Sequence, residues 1–110
     1  MENKVENNPC PVTKAMKLLG GRWKTIILYH LSDHTRRFGE IAVRIPSISR
    51  KVLSEQLKEL EADGLINRQQ FKEIPPRVEY SLTKLGKSVR PILKNMETWG
   101  QEMVLDNPID

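Results

Sequence analysis

The sequence has little cysteine and no long apolar run, and each shortage excludes a class of protein. Cys10 is the single cysteine among 110 residues, so an intrachain disulfide framework is excluded and a reducing compartment is favoured. No stretch approaches the roughly 20 apolar residues that cross a bilayer. The first eight residues also lack the apolar segment of a secretory signal. We therefore expect a cytoplasmic protein without a membrane partner.

Catalytic signatures are missing as well. The chain contains no G-x-x-x-x-G-K-[ST] or G-x-G-x-x-G phosphate-binding loop, no nucleophile elbow and no H-E-x-x-H motif. A chain of this length is also too small to enclose a large substrate site. We expect no enzymatic activity and no cofactor.

The length of the chain predicts one domain with a modest core, because domains usually run to roughly 100–200 residues. Residues 1–8 are polar and are expected to form a flexible arm, and residues 105–110 a C-terminal tail. The domain itself is expected to cover residues 9–104. Oligomerisation would add buried apolar area that a single copy cannot supply.

Positive charge is concentrated in one stretch of the chain. Residues 36–51 contain five basic residues and one acidic residue, so this stretch alone accounts for the net charge of +4. Such a cluster is typical of a phosphate-binding face, although an ordinary solvated surface would look the same by charge alone. The organisation of the surrounding elements must distinguish the two.

Apolar spacing predicts helices over about residues 11–19, 22–32 and 38–44, and a fourth from about residue 50 to Asp63. Ser49 is the expected N-cap of the fourth helix, and Leu53, Leu57 and Leu60 form its apolar stripe. Ile45-Pro46-Ser47-Ile48 reads as the turn between the third and fourth helices, because a residue before proline disfavours helical backbone.

The period of the pattern then changes. Residues 77–82 alternate between apolar and polar side chains and predict a strand, with residues 65–72 as a less regular partner. Residues 73–76, which include two prolines, form the exposed tip between them. Thr83 is expected to cap a final helix of about twenty residues that Pro91 bends or interrupts. The expected fold is mainly α with a small two-stranded antiparallel wing, a winged helix-turn-helix.

In such a unit the second helix of the pair lies in the DNA major groove. Arginine on that helix can bridge two acceptors on guanine, and serine or lysine can reach base edges or phosphate. Glu55 and Glu59 would repel phosphate, so contacts should concentrate near the start of the helix. Arg37 could instead pair with Glu40. The predicted double-stranded DNA contacts are Arg37, Ser47, Ser49, Arg50, Lys51, Ser54, Lys58, Lys72 and Arg77.

Four segments also resemble motifs of the HxlR family of regulators, and they occur in the family's order. They are GRWKTIIL at residues 21–28, RFGEI at 37–41, LKELEADGLI at 57–66 and PPRVEYSLT at 75–83, the last followed by Gly86. The resemblance runs from about Cys10 to Gly100. It implies a bacterial winged-helix repressor or activator that binds a pseudo-palindromic operator.

The resemblance also implies a homodimer formed through the first and last helices. The apolar stripe of the last helix is longer than a small core requires, and Trp99 on it favours a partner helix. Packing over the protomer's own core is the competing explanation. The predicted dimerisation residues are Val12, Met16, Leu93, Met96, Trp99 and Met103.

In some members of that family a cysteine just before a proline senses oxidants, quinones or aldehydes, and Cys10-Pro11 matches this position. A helix N-terminus favours the thiolate, and Arg22 or Lys24 could lie near enough to help. Without a second cysteine, the reactions open to Cys10 are adduct formation, a mixed disulfide or a bridge between two copies of Cys10. The alternative is a small residue with no sensing role. Whether an electrophile or another small molecule acts as an effector is left open.

Three further features have simpler explanations. His30 and His34 have a spacing that could bind metal, but a packed His30 and a solvated His34 explain them better, and no metal is expected. Trp23 is expected to pack in the core. Because fold does not fix function, a protein–protein assembly module that docks an acidic partner is the rival to DNA binding.

Overall fold

A computed structural model describes residues 10–103 of the chain. The predicted arm at residues 1–8 and the predicted tail at residues 105–110 lie outside the described residues. Within the described part, no helix is both long enough and apolar enough to span a membrane.

The four helices predicted in the first half of the chain are present. They are α1 (Pro11–Leu19), α2 (Lys24–His30), α3 (Phe38–Arg44) and α4 (Arg50–Ala62). α2 is shorter than the expected 22–32 because Gly21 turns the chain with a φ of +88°, and the helix begins only after Trp23. Ser49 caps α4 as predicted, since its Oγ accepts the N–H of Val52 at 3.1 Å.

The sheet has one strand more than the two-stranded wing that the sequence predicts. β2 (Ile66–Phe71) and β3 (Arg77–Leu82) form the expected antiparallel ribbon. β1 (Arg36–Arg37) lies on the other side of β3, where Arg36 pairs with Tyr80 and Arg37 with Glu79. A strand of two residues has no alternating pattern to detect, so only its pairing with β3 defines it.

The C-terminal helix is interrupted, which is one of the two outcomes expected from Pro91. The structure has a short α5 (Lys84–Lys87) and then α6 (Arg90–Met103). Pro91 explains the break, because it has no N–H to donate to the carbonyl of Lys87. Thr83 is the predicted cap: its Oγ1 accepts the N–H of Gly86 at 3.0 Å and donates to the carbonyl of Gly64 at 2.6 Å.

The core lies between α2, α3, α4 and the sheet, and it is closed by Leu93 of α6 and by Val89 just before that helix. The predicted stripe of α4 is fully buried, and Trp23 packs against the core as expected. Gly86 is required at its position, since a Cβ there would overlap the carbonyl oxygen of Leu65. This close approach holds α5 against the start of β2.

Candidate nucleic-acid interface

The outer face of α4 is polar and basic. Because Leu53, Leu57 and Leu60 point into the core, Arg50, Lys51 and Lys58 are exposed and Ser54 is half-buried beside them. Ser47 and Ser49 are exposed at the start of this helix. The oxygen of Ser49 is occupied by its capping bond, and its hydroxyl proton is still able to donate to a phosphate. The residues of α4 that were predicted to contact DNA thus lie on its solvent-facing side.

Arg50 is positioned by the preceding helix. Its guanidinium lies 5.6 Å from the centroid of the Phe38 ring, within the range of a cation–π interaction. Phe38 is half-buried at the first turn of α3. The contact joins the two helices of the helix-turn-helix and restricts where the Arg50 side chain can point.

The two acidic residues expected to repel phosphate have different surroundings. Glu59 accepts an ion pair from Lys24 at 2.8 Å, and the Lys24 side chain is only 12% exposed. Glu55 is exposed and forms no ion pair with any residue in 10–103. The uncompensated charge of Glu55 therefore still favours contacts before it, at the N-terminal half of α4.

Arg68 is a basic residue that the sequence reasoning did not include. It lies on β2 opposite Tyr80 and lines a hollow of about 350 Å³ together with Ser54, Lys58 and Glu61. Residues 67–70 of β2 are all exposed and polar, so the sequence shows no alternation from which the direction of each side chain could be predicted. Once the register is known, Arg68 extends the positive surface of α4 onto the ribbon.

The two arginines of β1 have opposite roles. The backbone N–H of Arg37, rather than its guanidinium, donates to the Glu40 carboxylate at 2.7 Å, so Glu40 caps α3. The exposed Arg37 guanidinium makes no ion pair within residues 10–103. Arg36 is engaged, because its Nε donates to the carbonyl of His30 at 2.6 Å and its guanidinium lies 3.9 Å from Asp33.

The guanidinium of Arg77, a predicted phosphate contact, is engaged within the wing. Its guanidinium pairs with Glu73 at 3.0 Å and with Glu79 at 3.5 Å, and it lies 4.0 Å from the centroid of the Phe71 ring. These contacts hold the ends of β2 and β3 together. Lys72, in contrast, is exposed near the tip and pairs with no carboxylate in the described part of the chain.

Cys10 is the N-cap residue of α1 and is exposed. Its Sγ lies 2.9 Å from Thr13 Oγ1 and accepts the Thr13 N–H at 3.3 Å. The side-chain and backbone hydrogen bonds of Thr13 lower the pKa of the thiol from its usual value. The expected help from Arg22 and Lys24 is not found: Arg22 lies over the ring of Trp23, and Lys24 pairs with Glu59.

Large apolar side chains on α1 and on α6 are open to solvent. Five of these side chains have exposed fractions between 50% and 70%, and that of Trp99 is 61%. They are Val12, Met16, Met96, Trp99 and Met103. We refer to these five residues as the apolar surface.

Leu93 was predicted to belong to this group, but it is only 3% exposed and packs in the protomer's core. It faces the core and lies roughly 120° around α6 from Trp99, six residues away.

His30 and His34 have different surroundings. Burial, with Arg44 and Arg36 nearby, lowers the pKa of His30 from its usual value, so its ring is neutral at pH 7. His34 Nδ1 lies 3.2 Å from the Asp33 carboxylate at the surface. Residues 10–103 hold no group of three or more side chains placed to bind a metal ion.

A short helix, a tight turn, a longer helix with a basic outer face and an antiparallel ribbon together define the winged helix-turn-helix class. Residues 18–107 match the model of the HxlR-like helix-turn-helix family. The chain belongs to this family.

Individual relatives agree with that assignment. The chain is 45% identical to the HTH-type transcriptional regulator YdeP of Bacillus subtilis over 84% of this chain and 73% of YdeP. It is 50% identical to an HTH-type transcriptional regulator of Methanothermobacter thermautotrophicus over 84% of this chain and 70% of that protein. Among solved structures, the redox regulator HypR in its oxidised form is 44% identical with a TM-score of 0.81, covering 84% of this chain and 95% of that one.

Proposed function

We propose that this HxlR-type transcriptional regulator binds a pseudo-palindromic operator as a homodimer and responds to oxidants or electrophiles through Cys10. The observation that carries the DNA-binding part is the exposed basic face of α4, with Arg50 restricted by Phe38. A helix of this kind, preceded by a short helix and a turn, fits the major groove with its N-terminal residues at the base edges.

The proposed contacts divide into two kinds. Arg50 reads a base, guanine being the partner that suits a bidentate guanidinium, and Ser54 and Lys58 lie further along the same groove. The phosphate contacts are assigned to Arg37, Ser47, Ser49, Lys51 and Lys72. Arg68 is added because it borders the same surface. A phosphate contact by Arg77 would require its guanidinium to leave Glu73 and Glu79, so Arg77 is proposed to shape the wing instead.

The homodimer is proposed to form through the apolar surface. Large exposed apolar residues on a small protein mark an interaction site, and aromatic residues such as Trp99 are enriched where binding energy is concentrated. A two-fold axis through this surface would present two copies of α4 to one face of the DNA. Their spacing would then be one helical turn, about 34–36 Å, or a multiple of it.

The response through Cys10 is supported by its exposure and by its lowered pKa, since the thiolate is the reactive form. The similarity to the redox regulator HypR adds to this support. With one cysteine in the chain, diamide would join Cys10 either to its copy in the second subunit or to a small thiol. In the bridge between copies, two thiols each lose a proton and an electron, and the N=N bond of diamide is reduced to the hydrazine.

The test is selection of bound duplexes from a random pool at near-physiological salt, using reduced and diamide-treated protein. An inverted repeat should be enriched by the reduced protein. The enrichment should change after diamide treatment in the unmodified chain and should not change in Cys10→Ser.

A selection that enriches no sequence in either state would contradict the operator proposal and favour a module for protein assembly. An enriched single half-site would contradict the dimer. A diamide response that persists in Cys10→Ser would contradict the sensing role of Cys10 and leave the operator proposal intact.

A further inference from the structure

A cleft of about 500 Å³ lies away from the α4 surface, between α2, β1, α3 and α6. Its volume is within the roughly 300–1,000 Å³ typical of sites for small molecules. The side chains that matter here are Tyr29, His30, Arg36, Arg44, Arg90 and Lys94. None of them belongs to the predicted DNA contacts or to the apolar surface.

Positive charge exceeds negative charge in this cleft. Four basic side chains line it, against the carboxylates of Asp33 and Glu97. Both carboxylates already have partners: Glu97 accepts a hydrogen bond from Tyr29 at 2.6 Å and pairs with Lys94 at 3.2 Å, while Asp33 pairs with His34 at 3.2 Å. The pKa of each carboxyl is lowered, first by those hydrogen bonds, so both are ionised at pH 7.

Arg44 and Arg90 are the basic residues that these carboxylates do not neutralise. Neither pairs with a carboxylate among residues 10–103, and they come from different helices, α3 and α6. His30 adds no charge of its own at pH 7, because burial and the neighbouring Arg44 and Arg36 lower its pKa. The cleft therefore presents two guanidinium groups without internal partners to whatever enters it.

A second, apolar hollow of about 200 Å³ adjoins the cleft. Thr25, Ile26 and Met96 line it, and it shares Tyr29, Leu93 and Glu97 with the cleft. Little of its lining is polar, so its preferred occupant is a hydrocarbon group. The two cavities together suit a molecule with an anionic end and an apolar body.

We propose that this cleft binds a small organic carboxylate, with the carboxylate between Arg44 and Arg90 and the hydrocarbon portion against Leu93 and Tyr29. Arginine is suited to this role because its planar guanidinium can donate two parallel hydrogen bonds to a carboxylate. The site is separate from Cys10 and needs no covalent chemistry.

The position of the site would allow a bound ligand to change the affinity for DNA. Arg44 lies in the last turn of α3, the first helix of the helix-turn-helix, and Arg90 lies at the start of α6, which carries Met96 and Trp99. A carboxylate held by both would restrain α3 relative to α6. This regulatory consequence rests on the proposed function, whereas binding itself does not.

The binding test uses the full chain titrated with benzoate, followed by calorimetry and by ¹⁵N–¹H NMR. Benzamide is the neutral comparison, and inorganic phosphate is the comparison without an apolar body. Benzoate should bind saturably and shift the amides around residues 29–36, 44 and 90–97. Arg44→Gln and Arg90→Gln should each weaken benzoate about tenfold or more, because each removes a charged hydrogen-bond partner.

Lys87→Gln is the matched control, since it removes one positive charge from an exposed position on α5 outside the cleft. It should leave benzoate affinity unchanged. All three positions are exposed, so circular dichroism should show the same fold in each variant.

Three results would overturn the proposal. They are no saturable binding of benzoate, equal binding of benzamide or phosphate, and benzoate affinity unchanged in both arginine variants.

A final arm separates this site from the DNA interface. Without ligand, Arg44→Gln should bind the selected operator as the unmodified chain does, whereas a loss equal to that of Lys51→Gln would place Arg44 at a DNA phosphate and overturn the proposal. If benzoate changes operator affinity by some factor, the operator must change benzoate affinity by the same factor. Benzoate binding without any operator binding would contradict the proposed function and leave the carboxylate site standing.

Discussion

α4 and α6 are amphipathic helices of 13 and 14 residues, but the two helices use their apolar faces differently. In α4 the leucine stripe is fully buried within the protomer, and the face left in solvent is polar and basic. In α6 only Leu93 is buried, and Met96, Trp99 and Met103 are left in solvent. The apolar stripe of α4 is thus covered within one copy of the chain, whereas most of the apolar stripe of α6 is left uncovered by residues 10–103.

The difference shows what kind of partner each surface suits. An exposed cationic face suits a polyanion, and water solvates it at no cost when it is unoccupied. An exposed apolar face is unfavourable in water and gains free energy when another apolar surface covers it. If the comparison holds, substitutions in α4 should affect folding or DNA recognition, and substitutions on the exposed face of α6 should affect association.

The largest expected effect is on folding through α4. Leu57→Ala should lower the free energy of unfolding by about 2–5 kcal/mol, because it leaves a cavity in a fully buried stripe. Met96→Ala should change the stability of the isolated protomer by less than about 0.5 kcal/mol. Urea unfolding at two protein concentrations distinguishes an effect on folding from an effect on association, since only the effect on association depends on concentration. Equal, concentration-independent losses would break the comparison.

The next effect is on association through α6. Trp99→Glu should raise the dimer dissociation constant by roughly 30-fold or more, because a charge would replace the aromatic side chain of the apolar surface. Sedimentation equilibrium measures the constant. Gln101→Glu adds the same charge two residues away on the same helix and should leave association unchanged. A similar effect of both substitutions would mean that net charge, and not the apolar surface, controls association.

A smaller effect is expected on DNA recognition through α4. Arg50→Gln should cost about 1–3 kcal/mol on the selected operator and less on random duplex, because a bidentate base contact would be lost. Lys51→Gln should weaken both duplexes equally, as expected of a phosphate contact. Fluorescence anisotropy at fixed salt measures the four affinities. Parallel losses for Arg50→Gln on the two duplexes would remove Arg50 from base readout.

The smallest effect concerns Cys10 at the start of α1, the helix that contributes Val12 and Met16 to the apolar surface. The Thr13 side chain is the main cause of the lowered thiol pKa, so Thr13→Val should raise that pKa. Because the thiolate is the reactive form, the rate of alkylation by iodoacetamide should then rise at higher pH than in the unmodified chain. Thr98→Val, an exposed substitution on α6, is the control. An unchanged pH profile in Thr13→Val would show that Thr13 does not set the reactivity of Cys10.

Much of the fold was predictable because its signals are local. The periodicity of α4, the capping residues Ser49 and Thr83 and the alternation in β3 each depend on neighbours within a few residues. The third strand was not predictable, since Arg36 and Arg37 are defined as a strand by Tyr80 and Glu79, more than forty residues away. The break between α5 and α6 had a visible cause in Pro91, but its consequence for the length of the helix depended on how the chain turned at Val89.

The candidate site was predictable as a set of residues and not as an arrangement. Charge and helical spacing selected Arg50 and Lys51, which are exposed on the outer face of α4. Arg77 and Arg68 show the limit of this reasoning. Nothing in the local sequence distinguishes the arginine that pairs with Glu73 and Glu79 from the one that opens onto the hollow beside Lys58. That distinction depends on the register of β2 and β3.

The sequence by itself determined which segments are helical, where most of them begin, and which face of α4 is apolar, because these properties follow from backbone preferences and the spacing of side chains along one element. The four ordered motifs also determined the family. Tertiary structure alone decided which charges are neutralised, which apolar residues the core leaves uncovered, and that Arg44 and Arg90 share a cleft. Charge pairing and burial depend on distances between elements, and those distances are set only when the whole core packs.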